Sequence, residues 1–469
     1  MLVCKCWGVS KVINSLRQGF VNVVAPSIER LRSRLSGSEL VEQIVLFMVL
    51  RFHFLNSDYF KSAPLLDGRE NFDRWLKIVV ESSGGVSSDF REYFVSVCQK
   101  SVASMRTDTG LKMDLYELWQ GLSQLPFEGV GGRTALGECF ELLLFMFAEN
   151  SIDGAGYSYT PRGVVHLVTE MLNAQESESM YDPACGSAGF LIAAAKRVSE
   201  SSSGAQLKLY GQDISSASLF IAKSNMLLHG LDEESIELSN SIFSAHGGEG
   251  KFGLFDVVAA NPPFSLRWDG YATETFFEYG IPPKSNADYA FLQRVLFSLK
   301  ESGRAAIVVP TGVLSRQGVE KAIRIKFINN HHVETVIALP PNTFYGTAVP
   351  ANILVLRRTR NESDVLFVDA SSFFSKDRNR NVITGEAVSR LVALCDARSD
   401  DGVFSKLVPL VDIENNDWNL TVSKYLLREV LDDVEPLETL VVRQIGLEGQ
   451  LADLQKEMMG LISSLKNKV

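Results

Sequence analysis

A chain of 469 residues with 46% hydrophobic content has enough apolar mass for two or three packed domains. Its formal net charge of −10 argues against strong unaided nucleic-acid binding through a global field, so such contact needs a local basic surface or a basic partner. No run of about 18 apolar residues marks a membrane span, and Met1–Trp7 is too short and poorly framed for a signal peptide. The 6 cysteines are scattered without a disulfide framework, as in a reduced cytoplasmic protein, and no Cys or His spacing predicts a metal site beyond the isolated Cys4 and Cys6.

Residues 1–150 read as a mostly helical domain. Leu40, Ile44, Phe47, Met48 and Leu55 fall near helical spacing, as do Leu115, Leu118, Leu122 and Leu125. The stretch Gly137–Phe147 reads as a buried helix ending before Gly154-Ala155-Gly156. From 151 to 425 the pattern changes to short β-prone runs alternating with helices. These runs are Ser179–Asp182, Leu207–Asp213, Ile236–Leu238, Phe255–Ala260, Ala305–Pro310, Val333–Leu339, Ile353–Leu356 and Val365–Val368. Such alternation predicts a doubly wound α/β sheet. The adjacent His331-His332 reads as a solvated loop, and Lys376–Asn381 as a polar turn-like loop. In residues 426–469, Leu447, Leu451, Leu454, Met458, Leu461 and Leu465 alternate steps of four and three, a heptad stripe suited to docking a partner helix or folding back.

The most specific signal is Asn261-Pro262-Pro263-Phe264, delivered by the apolar run Phe255–Ala260. The Asn261 side-chain oxygen and the Pro262 carbonyl can both accept from one planar amino group. Pro263 fixes the turn, and Phe264 offers its ring to the heterocycle bearing that amine. A second device lies upstream. Asp182-Pro183-Ala184-Cys185-Gly186-Ser187-Ala188-Gly189 joins a strand to a helix through small residues that let a ligand approach the backbone. It has neither the P-loop lysine nor the dinucleotide glycine spacing. The next strand ends in Asp213, placed to accept from ribose hydroxyls or to cap the following helix. A nucleoside held without a phosphate cradle, beside an amine-holding loop, points to S-adenosylmethionine and methyl transfer.

From about residue 137 to 425 the chain resembles the methylation subunit of type I restriction–modification systems, which methylate adenine N6 in DNA. The resemblance rests on Tyr157-Ser158-Tyr159-Thr160-Pro161-Arg162, on the loop from Asp182 to Leu191, and on Asn225–Gly230. It continues through Ala287–Phe291, Val309–Leu314, Leu339–Tyr345 and Asn416–Leu420. It implies a class I S-adenosylmethionine-dependent methyltransferase domain. Tyr157, Ser158, Tyr159, Thr160, Pro161 and Arg162 would line the methionine end of the cofactor. Asp182, Gly186, Ser187, Ala188 and Gly189 would lie beneath it, and Asp213 would hold the ribose. The family usually has Glu at position 213. Near the cofactor adenine it often has Gly-Asp, where Asn240 here keeps an acceptor oxygen and loses the charge.

The resemblance further implies double-stranded DNA as substrate, a DNA-specificity subunit, a second methylation subunit and a motor-nuclease subunit as partners. An adenine amine is a poor nucleophile because its lone pair is delocalised. Acceptance of hydrogen bonds from its two N–H groups by Asn261 Oδ1 and the Pro262 carbonyl relieves the positive charge that develops on nitrogen, and the base must first leave the duplex stack. Two other readings carry the same tetrapeptide: a protein glutamine-N5 methyltransferase, normally with Tyr as the aromatic, and a non-catalytic scaffold of a defence complex.

Overall fold

The structure is a computed structural model that describes residues 11–56, 68–81, 88–127, 132–149, 159–201, 205–246, 253–269, 277–345, 347, 349–378 and 380–426, and then 444–451, 454–456 and 458. Residues 1–426 form one compact unit and residues 427–469 another.

The first unit opens with α1 (Lys11–Leu31), α2 (Gly37–Asn56), α3 (Phe72–Glu81), α4 (Ser88–Thr107), α5 (Thr109–Gln124) and α6 (Gly132–Glu149). Helix α5 shows why the sequence folds this way. Asp108 accepts from the Leu111 N–H at 2.9 Å and caps the first turn. Its apolar residues Leu111, Leu115, Leu118, Trp119 and Leu122 form one buried stripe. In α2 the apolar residues from Leu40 to Leu50 are all inaccessible, so this helix runs through the middle of the helical cluster.

The sheet region follows as α7 (Arg162–Leu172), β1 (Ser179–Asp182), α8 (Gly189–Ser201), β2 (Lys208–Asp213), α9 (Ser216–Leu228), β3 (Ile236–Leu238) and β4 (Phe255–Ala260). It continues through α10 (Asp288–Ser298), β5 (Leu299–Pro310), α11 (Val319–Asn329), β6 (Val333–Ala338), β7 (Ala351–Arg357) and β8 (Val365–Asp369), and ends with β9 (Ser375–Asp377), β10 (Arg380–Val382), α12 (Gly385–Ala397), β11 (Ser405–Val408) and α13 (Leu410–Asn415). Nine strands lie in the order β11-β8-β6-β7-β5-β4-β1-β2-β3. Strand β7 runs antiparallel between β5 and β6, and β11 runs antiparallel to β8, whereas the other pairings are parallel. The run β3-β2-β1-β4-β5-β7-β6 is the sheet of the class I methyltransferase fold, as expected.

Strand β4 is apolar apart from Asp256, whose carboxylate pairs with Lys300, because both its faces are covered. Val257 and Ala259 enter the core shared with α7, and Val258 and Ala260 enter the core shared with α10. The strand order reverses at β1, which pairs with β2 on one side and β4 on the other. Ligands of such sheets bind beyond the carboxyl ends of the strands at this point. The loop after β1 and the Asn261 turn after β4 both start there. Helix α9 joins the sheet to the helical cluster. Its Phe220 ring lies 5.7, 5.1 and 6.4 Å from those of Phe90, Tyr93 and Phe94 in α4.

Two expectations are corrected. Lys376–Asn381 is not a simple loop, because β9 and β10 pair as an antiparallel hairpin, with Asn381 opposite Lys376. Asn381 Nδ2 donates to the Pro341 carbonyl at 2.6 Å, a contact far away in sequence. His332 is not solvated. It is 6% exposed, with one ring nitrogen 2.8 Å from the Tyr279 hydroxyl and the other 3.1 Å from the Arg357 carbonyl. Burial pushes its imidazole down to about 4.

In the second unit, residues 444–451 are helical, and Leu447, Leu451, Leu454 and Met458 are exposed. Leu461 and Leu465 lie outside the described residues, as do Cys4 and Cys6. Among the described residues, no helix is long and apolar enough to cross a membrane.

Candidate active site

The loop after β1 is held by backbone and side-chain bonds. The Cys185 N–H donates to the Gln212 carbonyl at 2.9 Å, and the Gly186 N–H donates to Asp213 Oδ2 at 3.1 Å. Gly186 has φ 52°, a conformation glycine adopts without steric cost, and Ala188 takes φ 63°. Gly211 in β2 lets this loop close in, since a Cβ there would lie 3.2 Å from Cys185 Sγ. On the far side, Asn225 Nδ2 of α9 donates to the Ser187 carbonyl and to Glu141 Oε1 of α6, both at 2.8 Å. The helical cluster thereby braces the loop.

The Asn261 side chain is 9% exposed. Its Nδ2 donates to Thr160 Oγ1 at 3.0 Å. That bond turns Oδ1 away as a free acceptor, and among the described residues nothing donates to it. Phe264 meets Phe344 edge to face, with ring centroids 5.9 Å apart. Tyr159 meets Tyr345, the next residue of the same loop, at 5.8 Å.

A cleft gathers Tyr159, Thr160, Arg162, Asp182, Gly186, Ser187, Gly189 and Asn261. Pro161 stands at the N-terminus of α7, and Ala188 is fully buried beneath the loop. Asp213 does not line the cleft. Its Oδ1 accepts from the Ser215 N–H at 2.8 Å, so it supports the loop from below. It is not the cap of α9, a part taken by the Ser215 hydroxyl. Asn240 is not brought to the cleft either, and its Oδ1 accepts from the Ile242 N–H at 3.1 Å within its own turn. Tyr157 and Ser158 lie outside the described residues.

Sequence reasoning missed Glu138 and Glu141 of α6, Lys196 of α8 and His229, which also line the cleft. Two carboxylates three residues apart within the apolar stretch from Ala135 to Ala148 were the available signal, since a buried charge requires a partner. Lys196 Nζ is 3.0 Å from Glu138 Oε1, and Arg162 Nη2 is 3.9 Å from Glu141 Oε2. Burial raises the Glu138 carboxyl, but Lys196, Arg162 and Arg17 outweigh it and leave the group below its ordinary range.

The cleft suits a positively charged nucleoside carrying an amino-acid tail. Tyr159 Oη and Arg162 Nη2 are buried and have no hydrogen bond of normal geometry among the described residues. The Asp182 carboxyl is pushed up to about 8 by burial, against the Ala184 N–H that stabilises its charge, with Asp213 adding to the rise. A Cβ added at Gly189 would meet nothing nearer than 3.9 Å, leaving the loop open to a ligand. The residues fit S-adenosylmethionine.

The family model described as N-6 DNA Methylase matches residues 132–433. The chain belongs to the N-6 DNA methylase family. It is a DNA adenine N6-methyltransferase, and its family and fold imply S-adenosylmethionine as methyl donor. Among relatives of this methylase is the methylase subunit of the type I restriction enzyme HindI from Haemophilus influenzae. It is 30% identical over 354 residues, which cover 71% of this chain and 79% of that one. The MpnII methylase subunit from Mycoplasma pneumoniae is 27% identical over 428 residues, covering 87% and 76%. The crystal structure of a type I restriction–modification methyltransferase subunit from Streptococcus thermophilus superposes with a TM-score of 0.70 at 25% identity. That match covers 88% of this chain and 99% of the other.

Proposed function

We propose that this methylase is the modification subunit of a type I restriction–modification complex, methylating a flipped-out adenine at N6. The observation that carries the chemistry is the Asn261 amide, locked by Thr160 with its oxygen free, at the end of β4 and within the cleft. Asn261 Oδ1 and the Pro262 carbonyl accept hydrogen bonds from the two N–H groups of the amine. This favours a pyramidal nitrogen and offsets its developing charge. Phe264 stacks on the extruded base, and Phe344 stands beside it to bound the pocket.

Tyr159, Arg162, Asp182 and the Gly186–Gly189 loop hold S-adenosylmethionine. When bound, it supplies a methyl group already activated on sulfur. The chain's own task is therefore alignment and acceptance of hydrogen bonds from the amine.

Partner dependence accords with the acidic net charge and the exposed Leu447, Leu451, Leu454 and Met458. We read residues 426–469 as the docking tail, 151–425 as the catalytic domain and 1–150 as a helical domain that braces it. A DNA-specificity subunit would choose the sequence, a second methylation subunit would complete the enzyme, and a motor-nuclease subunit would join for restriction. Transfer of tritiated methyl to duplex DNA, with and without a candidate specificity subunit, tests this. Label should enter DNA strongly only with that subunit present, and label in protein alone would overturn the reading.

Asp182 gives a pH test. Its folded-state pKa of about 8 lies above the roughly 4 of an unfolded aspartate. Its contribution to stability is therefore complete below about pH 4 and is lost as pH rises through 8. Asp182→Asn should lose less melting temperature than the wild type between pH 5 and 8.5. Parallel profiles would contradict the burial argument.

A further inference from the structure

The segment that follows Phe264 is laced to the residues leading into α10. The Ala287 N–H donates to the Leu266 carbonyl at 2.8 Å, and the Trp268 N–H donates to the Lys284 carbonyl at 3.0 Å. Trp268 Nε1 donates to the Pro283 carbonyl at 3.0 Å. Ser265, directly after Phe264, sits at φ 51°, a left-handed conformation that a serine does not hold without support. The support comes from a charged side chain. Asp288, 3% exposed in the first turn of α10, accepts from the Ser265 N–H through Oδ1 at 3.0 Å.

Its other oxygen accepts from Arg316 Nη2 at 2.8 Å, and Arg316 Nη1 donates to Glu320 Oε1 at 2.9 Å. The guanidinium fills the space left open by Gly312, where an added Cβ would lie 2.7 Å from Arg316 Nε. Asp288 does not cap its helix. The cap position is Ala287, and the carboxylate is spent on the loop and the arginine. A buried carboxylate with both oxygens committed to one backbone N–H and one fork of an arginine is a rigid fixture.

We propose that Asp288, oriented by Arg316 and Glu320, is a positioning residue that fixes the turn at Ser265 and thereby aims Asn261–Phe264 at the extruded adenine. The inference rests on the reading of that tetrapeptide as the adenine-holding loop. It predicts a defect in base capture and turnover that leaves the cofactor cleft, which neither Ser265 nor Asp288 lines, intact. Misplacing reacting groups by about 1 Å costs roughly 100-fold in rate.

The test uses the assembled complex that methylates DNA, with 2-aminopurine at the target adenine to report base extrusion. Asp288→Ala should lower kcat by about 100-fold and abolish the fluorescence rise, with S-adenosylmethionine affinity by calorimetry unchanged. Asp288→Asn, which still accepts from Ser265 but loses its charge pairing to Arg316, should give a milder form of both defects. If Asp288→Ala does not fold, Arg316→Lys decides, because it keeps the charge, loses the fork and should repeat the milder pattern. Wild-type kcat and fluorescence in the folded variants would overturn the proposal, as would cofactor affinity falling in parallel with rate. A wild-type complex that methylates no DNA would overturn the functional reading itself, and this proposal with it.

Discussion

Asn261→Ala should reduce methyl transfer to DNA by about 10²–10³-fold, the usual cost of deleting one group that stabilises developing charge. Binding of S-adenosylmethionine should survive. The substitution removes Oδ1 and leaves the cofactor loop untouched, since that loop is held by Gln212, Asp213 and Asn225. Thr160→Val should produce a weaker version of the same defect. It removes the acceptor at 3.0 Å that fixes which way the amide faces, so the oxygen points at the amine only part of the time. Single-turnover rates together with equilibrium cofactor binding check both variants. Loss of cofactor binding in folded Asn261→Ala would reassign the residue to the cofactor.

Phe264→Ala is the second large effect. Stacking of an aromatic on an extruded base is worth roughly 1–3 kcal/mol, which corresponds to about 5- to 150-fold in base capture. The loss should appear as weaker 2-aminopurine extrusion and slower turnover, again with cofactor affinity retained. Phe344, 5.9 Å away, cannot replace the ring because it meets Phe264 by an edge. Unchanged turnover in Phe264→Ala would mean that the base is held by other groups.

Much of the sheet was legible because its central strands are covered on both faces and read as short apolar runs. Phe255–Ala260 is both the expected strand and β4. The two sheet elements that escaped lack such a run. Ser405–Val408 is a short edge strand with Lys406 exposed, and the hairpin of Ser375–Asp377 with Arg380–Val382 is polar. The hairpin is fixed by Asn381 on Pro341 and by the Arg380 guanidinium over the Tyr345 ring at 3.7 Å, contacts that local pattern does not reveal.

The site was legible where spacing encodes chemistry, as in Asn261–Phe264 and the Gly186–Gly189 loop. It was opaque where a polar residue's partner is remote in sequence. His332 finds Tyr279, Asp288 finds Ser265 and Arg316, and Glu141 finds Asn225. Nothing adjacent to any of these residues announces its partner. The Asn261 lock by Thr160 belongs to the same class, because the two residues sit 101 positions apart and meet only once α7 and β4 are packed together.

The central claim is that Asn261 prepares an adenine amine of DNA for methylation. Mass spectrometry of nucleosides from duplex DNA incubated with the complex and S-adenosylmethionine tests it most directly. The account predicts N6-methyladenine as the product with the wild type, and about 10²–10³-fold less of it with Asn261→Ala. Methylated cytosine, or unmodified DNA beside methylated glutamine in a protein, would contradict it.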